Sequence, residues 1–516
     1  MERIEPTPVL VVGAGPTGLV TALTLAVNGV PSRVIDRQAS AVTSSRALGC
    51  QPRSMEILAA LDVVGSILEI SEPLHGSSIM RGTEELADVR WIPPDAPYPY
   101  TYVFPESGLE RILRDRLAEL GVTIEWNTEL VGLEHRESDV VATLADGRRL
   151  LTQWVVGCDG AHSQTRAAAD IAFEGRATGE VHYLADVSFE PRDPRPGPAM
   201  WLAPDGPLML MRMPGSAGVW RIFVDVTDWT GRNELPVPTV DILQALLDRR
   251  AIGPGHIKIR QVHWTSTYRT SLRLAASYRR QRLFIAGDAA HVFPPYGGQG
   301  MNTGIQDAYN LAWKLARVVQ AKSSVTILDT YECERRPVAV DTIRDVDRRR
   351  RLFALRNPIA RVIRDLALRV TLRSDRANRA GSYATSELGI SYRGRSWLCV
   401  DDGSQAEPRA GDRAPDGQLG KKRLFAVFRP TCFTLLVFSG RDTPAALPPD
   451  VPPELNVVAI NECTDPGLSL TERYSAKGGA LVLVRPDGHI GFRGGAHSHA
   501  ALRAYLDRVT LPGPKP

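Results

Sequence analysis

Apolar positions fall at helical spacing in some stretches of the chain and alternate in others, and the two patterns divide it. Residues 9–12 are a short β-branched and aliphatic run, followed by Gly13-Ala14-Gly15-Pro16-Thr17-Gly18, after which Leu19, Ala22, Leu23, Ala26 and Val27 recur at helical spacing. That predicts a strand, a glycine turn and a helix, with residues 32–35 as a second strand. Helices are predicted around Met55–Leu61 and, after the cap Pro105-Glu106-Ser107, along Leu109, Ile112, Leu113, Leu117 and Leu120. Strands follow near 123–126 and 140–144, with Asp146-Gly147 as a hairpin turn, and at 154–157. Between them, proline and aromatic density over residues 79–102 predicts an excursion over the surface rather than a buried strand.

From His182 to Tyr268 the pattern changes to short alternating strands at 183–189, 200–202, 208–213, 219–226 and 257–267, interrupted by a helix over 240–250. This reads as an antiparallel sheet inserted into the first fold, with one face free to roof a pocket. Of Trp201, Met209, Met211, Trp220, Phe223, His263 and Trp264, about a third at most are expected on a ligand, the rest in the core. A strand at 283–286 then runs into a glycine- and proline-rich loop and a helix carrying Ile305, Ala308, Ala312, Leu315 and Val319. Helix continues from 324 to about 379 and a polar linker spans 387–413. A separate α/β unit closes the chain, with strands at 424–428, 433–438, 455–459 and 480–484, another after the turn at 485–488, and a helix at 499–509.

With 516 residues, 43% hydrophobic and 23% charged, the chain is too long for one ordinary core and has the composition of a soluble globular protein. A formal charge of +4 is mild and gives no reason to expect nucleic acid as a partner. Arginines crowd between Arg344 and Arg379, but Asp341, Asp345, Asp347 and Asp365 interleave with them, as on a solvated helix face. Cys50, Cys158, Cys333, Cys399, Cys432 and Cys463 form no CxxC and have no histidine at metal spacing, so reduced cysteines and no metal are expected. The first strand begins too early to leave room for a signal peptide, and no apolar run would span a bilayer, so a cytoplasmic location with no membrane partner is expected.

The chemistry gathers in three blocks. In the first, Gly13 allows a tight turn, Gly15 leaves room for a pyrophosphate against the backbone, and Gly18 brings the helix close to the strand. The helix start offers unpaired N–H groups, and Asp36 ends the second strand where a ribose-binding carboxylate belongs, so an ADP-containing dinucleotide is expected. The second block is Cys158-Asp159-Gly160-Ala161-His162-Ser163 with Arg166, in which Asp-Gly alone would mark only a turn. The third runs from Gly287-Asp288 through Pro294-Pro295-Tyr296-Gly297-Gly298-Gln299-Gly300-Met301-Asn302. Asp288 can accept a hydroxyl hydrogen bond from a sugar-like chain, and His291 reads first as a histidine bonding its own loop. Arg46 and Arg53 could meet phosphate or a flavin carbonyl, or form surface ion pairs.

In this order the three blocks resemble the single-component FAD-dependent aromatic hydroxylases, the group A flavoprotein monooxygenases, over residues 7–340. The resemblance implies an α/β fold: a Rossmann-like FAD-binding domain of glutathione-reductase type (1–180 with 275–340), an inserted antiparallel-sheet substrate domain (181–274) and a helical segment and linker (341–400). From about Gly411 the tail resembles the thioredoxin-like C-terminal domain of the polyketide and phenol hydroxylase branch, giving a last domain at 401–516 in an architectural role. FAD would lie along Gly13, Gly15, Pro16, Thr17, Gly18, Asp36 and Arg37. Asp159-Gly160 would lie near its diphosphate, in a motif associated with NAD(P)H, and Gly287-Asp288 would hold the ribityl chain. Arg46 matches an arginine beside the isoalloxazine, the Pro294 to Gly298 loop matches the segment facing the flavin's reactive edge, and Pro295, Gly298, Gly300, Met301 and Asn302 are expected to bind the cofactor. Arg46, Pro295, Gly297 and Gly298 are therefore the candidate catalytic positions. Glu106 departs from the pattern, since that branch usually places glutamine there, and a carboxylate would meet FAD oxygens unfavourably unless protonated or turned aside.

By the same resemblance NADPH or NADH reduces FAD, O₂ adds at flavin C4a, and the distal peroxide oxygen passes to an electron-rich carbon of a polycyclic, polyketide-like substrate, as in antibiotic biosynthesis. A Baeyer–Villiger or antibiotic-inactivating oxygenase of the same build is the alternative, and a flavin-binding partner protein without catalysis is a remoter one. A monomer or homodimer is expected.

Overall fold

In the computed structural model, which describes residues 7–44, 47–190, 195, 197–216, 218–229, 235–253, 256–403, 405–440, 452 and 454–510, the strand Thr7–Val12 lies in the middle of the first sheet. It pairs in parallel with Ser32–Ile35 on one side and Arg149–Gly157 on the other. Ile124–Glu125 and Leu283–Ile285 extend the parallel order outward, and the hairpin Leu130–His135 and Val140–Leu144 branches from Arg149–Gly157. Strands buried on both faces need helices on both, which is why this run is apolar without alternation. Helices Pro16–Val27 and Gly300–Val319 pack on the sheet, and the carboxyl ends of the parallel strands point at the glycine turn.

The second sheet has eight strands and is built on two of eighteen residues, Phe173–Glu190 and Lys258–Ala275, which pair antiparallel and cross from the first fold into the roof. Val219–Asp225, Gly206–Arg212 and Ala199–Ala203 continue it. The expected surface excursion at 79–102 is corrected here: Gly76–Arg81 pairs in parallel with Ala199–Ala203, and Glu84–Arg90 forms the edge. The prolines that suggested an excursion all fall after Arg90, and only that stretch is irregular. Helix Val240–Leu247, continued by a π-helical turn at Asp248–Ile252, packs on one face of this sheet with Trp201 and Trp220 beneath it.

The third sheet is mixed and five-stranded, in the order Val400–Asp401, Ile490–Gly495, Ala480–Val484, Thr434–Phe438, Asn456–Ile460, and is thioredoxin-like. The strand expected at 424–428 is instead the 3₁₀ turn Leu424–Val427: the Asp416 carboxylate accepts the Phe425 N–H at 2.9 Å, leaving that backbone without a ladder to join. Nor does the tail stand apart. Phe433, Leu435, Leu481 and Leu483 belong to the same apolar cluster as the first sheet. Across the seam, Glu334 takes both Arg485 Nη1 (2.7 Å) and Lys314 Nζ (2.7 Å), every one of these side chains fully buried. The segment read as a polar linker is packed in between, with Tyr392 and Glu387 buried. All six cysteines are free, and no helix among the described residues is long and apolar enough to cross a membrane.

Candidate functional site

The glycines of the first block do different work. A Cβ at Gly13, where φ is 102°, would lie 2.4 Å from the Cys158 carbonyl oxygen, and one at Gly18 would lie 1.9 Å from that of Gly13. Both are packing glycines that clamp strand, turn and helix together. At Gly15, the N-cap of Pro16–Val27, a Cβ would meet nothing within 4 Å. The space is open where the helix presents its unpaired N–H groups, which is the cradle a diphosphate needs. Pro16 occupies the first turn, where its missing N–H costs nothing. Thr17 turns inward: its hydroxyl stands where a Cβ on Gly287 or Gly304 would be, at 2.5 and 2.4 Å, so it locks the first block against the third.

Asp36 accepts hydrogen bonds from the Ala14 N–H at 2.7 Å and the Gln38 N–H at 2.8 Å, and faces a cleft of ≈ 170 Å³ that Gln38, Arg37, Glu129, Asp159 and His162 also line. Asp159 is largely spent on structure. Its carboxylate takes the Ser163 hydroxyl at 2.5 Å and the Thr165 N–H at 3.0 Å, holding the start of helix Gln164–Ala168. Gly160, at φ 76°, again has open space where a side chain would be. Arg166 ties this block to the third by donating to the Ala289 carbonyl at 2.9 Å.

The third block is held from below. Asp307, on helix Gly300–Val319, accepts the Gly287 N–H at 3.2 Å and His291 Nε2 at 2.6 Å on one oxygen, and Arg335 Nε at 2.7 Å on the other. This corrects the expectation for His291, which reaches across to the helix rather than bonding its own loop. Burial alone would raise the Asp307 carboxyl, but the His291 and Arg335 charges and hydrogen bonds outweigh it and hold it below the usual carboxylate range. Arg335 also donates to the Thr303 carbonyl and the Tyr392 hydroxyl, each at 3.2 Å, so the Gly287 turn is referenced to the packed linker. Asp288 itself is exposed. Neither Asp307 nor Arg335 was singled out in the sequence. The available signal was a polar stripe, Thr303, Asp307, Asn310 and Lys314, at helical spacing in a helix that is buried on every side.

In the loop beyond, Gly297 and Gly298 take φ of 110° and 64°, which the left-handed region allows at least cost to glycine. The Asn302 amide donates to the Gly298 carbonyl at 2.7 Å and the Gly49 carbonyl at 3.0 Å and accepts the Gln51 N–H at 2.8 Å. The Asn302 side chain is thus committed within the protein, and only its backbone is left for a ligand. Pro295 is exposed and its carbonyl accepts the Gly298 N–H at 3.1 Å. Arg46 lies outside the described residues. Glu106 is turned onto the adjoining segment, accepting the Ala47 N–H at 3.0 Å. Behind it, burial and then the Glu106 charge push the Glu110 carboxyl up to about 7. Arg53 is corrected from a phosphate or surface candidate to a buried one that bonds Glu56 at 2.9 Å and the Asp487 carbonyl of the tail.

The roof divides by strand alternation. Trp201 and Trp220 lie on the helix-covered side, whereas Met209, Met211 and Phe223 point the other way along their strands, as does Trp264, which lies over Arg221 at 5.3 Å. His182 and Phe223 stack at 4.7 Å, Tyr268 lies 5.5 Å from His182, and His182 Nε2 is 3.4 Å from the hydroxyl of Tyr296 in the glycine loop. An aromatic floor on the inserted sheet therefore meets the loop of the first fold. Burial drives the His182 pKa down to about 4, so the imidazole is neutral.

Known proteins resemble the chain throughout. The FAD binding domain family matches residues 6–346, and the family described as the C-terminal part of aromatic-ring hydroxylases matches 407–511. A flavin-dependent monooxygenase of Mycobacteroides abscessus is 33% identical over 97% of this chain and 99% of its own. The 6-methylpretetramide 4-monooxygenase of Streptomyces rimosus is 31% identical over 98% and 93%. Among solved structures, an anhydrotetracycline hydroxylase from Streptomyces rimosus superposes with a TM-score of 0.80 at 28% identity, covering 99% of this chain and all of that one.

Proposed function

The chain belongs to the FAD-binding aromatic-ring hydroxylases and is a flavin-dependent monooxygenase, and from that premise we propose that it uses NAD(P)H and O₂ to hydroxylate a polycyclic, electron-rich aromatic of the polyketide type. The observation that carries the reading is the meeting of the open Gly15 cradle, the Asp307-locked Gly287 turn and the aromatic roof around one loop. Gly15 and the helix start would hold the diphosphate, Asp36 the adenosine ribose, and Gly287-Asp288 the ribityl chain. Bound FAD would relay the electrons of NAD(P)H and activate O₂.

The protein's share is positioning and exclusion of water. Phe223, Tyr268 and the neutral His182 form an apolar aromatic wall, the Phe223 and Tyr268 planes inclined by 49°, that suits a fused-ring substrate, and Tyr296 carries it edge-on to the glycine loop. Gly297 and Gly298 put no side chain of their own before reacting atoms, and the Arg349 guanidinium lies 2.8 Å from where a Cβ on Gly297 would be. The test is NADPH or NADH oxidation with candidate polycyclic phenols under labelled O₂. Substrate-stimulated oxidation and a product heavier by one labelled oxygen on an aromatic carbon are expected. Oxidation indifferent to every such phenol, or insertion of oxygen beside a ketone, would overturn the reading.

A further inference from the structure

Helix Pro358–Thr371 is apolar on two sides. On one, Leu368, and just beyond the helix Leu372, pack against Ile79, Leu86 and Ala87 of the roof's edge strands, Asp365 meets Arg81 at 3.4 Å, and Arg369 pairs with Glu84. That contact covers a sheet edge, as exposed edges require. The opposite side carries Ile359, Val362, Ile363, Leu366 and Val370, each 62–72% exposed. Singly exposed aliphatics need no explanation, but these recur at i, i+3, i+4, i+7 and i+11 as one stripe. Four of the five are β-branched, a choice that weakens an exposed helix unless packing repays it, and nothing among the described residues covers them.

We infer that this stripe is a two-fold interface between two copies of the chain. A symmetric interface must be complementary to itself, and the stripe is: an antiparallel copy centred between Arg364 and Asp365 sets Ile359 opposite Val370, Val362 opposite Ala367, and Ile363 opposite Leu366. Of the nearby arginines, Arg369 on the flank pairs with Glu84, and Arg364 is buried on the far side of the helix against Asp365 at 2.8 Å. The lack of tryptophan or lysine on the stripe suits a protein surface better than an anionic bilayer. Withdrawing five such side chains from each copy removes on the order of 1,000 Å² from water, the lower bound for a specific interface. The dimer would brace the edge of the roof from outside.

Sedimentation velocity of the full-length, flavin-loaded protein over about a hundredfold concentration range tests this. A dimer is expected, and Leu366→Asp should raise its dissociation constant by roughly 30-fold or more while leaving flavin content and absorbance unchanged. On oxidation, the double variant Ile359→Cys with Val370→Cys should crosslink beyond the parent protein, whose Cys333 and Cys463 are exposed, and neither single variant should. A monomer at every concentration would overturn the inference, as would a dimer indifferent to Leu366→Asp. A monomer that sediments with phosphatidylglycerol vesicles would give the stripe to lipid instead.

Discussion

Replacing Asp307 with asparagine tests whether the third block is held from within the protein. The carboxylate is fully buried and accepts three donors, the Gly287 N–H, His291 Nε2 and Arg335 Nε. Asparagine keeps the shape but offers an amide hydrogen to one set of donors and leaves the buried Arg335 guanidinium without its counter-charge. Breaking one partner of such a buried pair costs about 3–5 kcal/mol. Because the folded pKa lies below the unfolded one, the carboxylate's stabilisation is complete above the unfolded carboxyl value and fades only as pH falls through the lower folded value. The loss in Asp307→Asn should therefore be constant from about pH 5 upward. Part of it should appear at the ligand, since the Gly287 amide loses its acceptor: about 1–3 kcal/mol, or roughly 5- to 150-fold in FAD affinity. Urea unfolding of the flavin-free protein and fluorescence titration with FAD measure the two. A variant that unfolds at the wild-type urea concentration and binds FAD within twofold of wild type would refute this account.

Gly15→Ala should leave folding stability within about 1 kcal/mol, because φ is −76° and the space is open, yet weaken FAD by roughly tenfold or more as the methyl enters the diphosphate's place. Gly13→Ala should instead lower soluble yield and unfolding midpoint, since its methyl meets the Cys158 carbonyl; equal effects at the two positions would contradict their separate roles. Burial pushes the Glu387 carboxyl up to about 8 against the opposing Arg335 charge. Stability should then fall as pH rises from the unfolded carboxyl range to that value, and Glu387→Gln should match wild type near pH 5 and exceed it by on the order of 3 kcal/mol near pH 8. For His182, with a folded pKa driven down to about 4 by burial, stability is complete above the unfolded value and declines as pH falls below about 6.5. His182→Phe should flatten that decline in urea midpoints measured across the window, and an unchanged slope would show that the imidazole is not held neutral.

Much of the first fold was legible along the chain because it is written locally. Strand, glycine turn and helix follow from periodicity and from glycine's freedom of approach, and Asp36 was found by its offset alone. The roof's strands were visible by alternation, but alternation says only that two faces differ. Docking of helix Val240–Leu247 decided that Trp201 and Trp220 are core while Phe223 and Trp264 face the other way. Distance in sequence explains the rest. Asp307 gathers Gly287, His291 and Arg335 from separate turns and helices, Arg53 finds a carbonyl more than four hundred residues away, and the edge strands at 76–90 are strands only because Ala199–Ala203 lies beside them. A local pattern can specify where the backbone bends and which side chains avoid water; which buried charge answers which is settled only when the folded chain brings them within reach of one another.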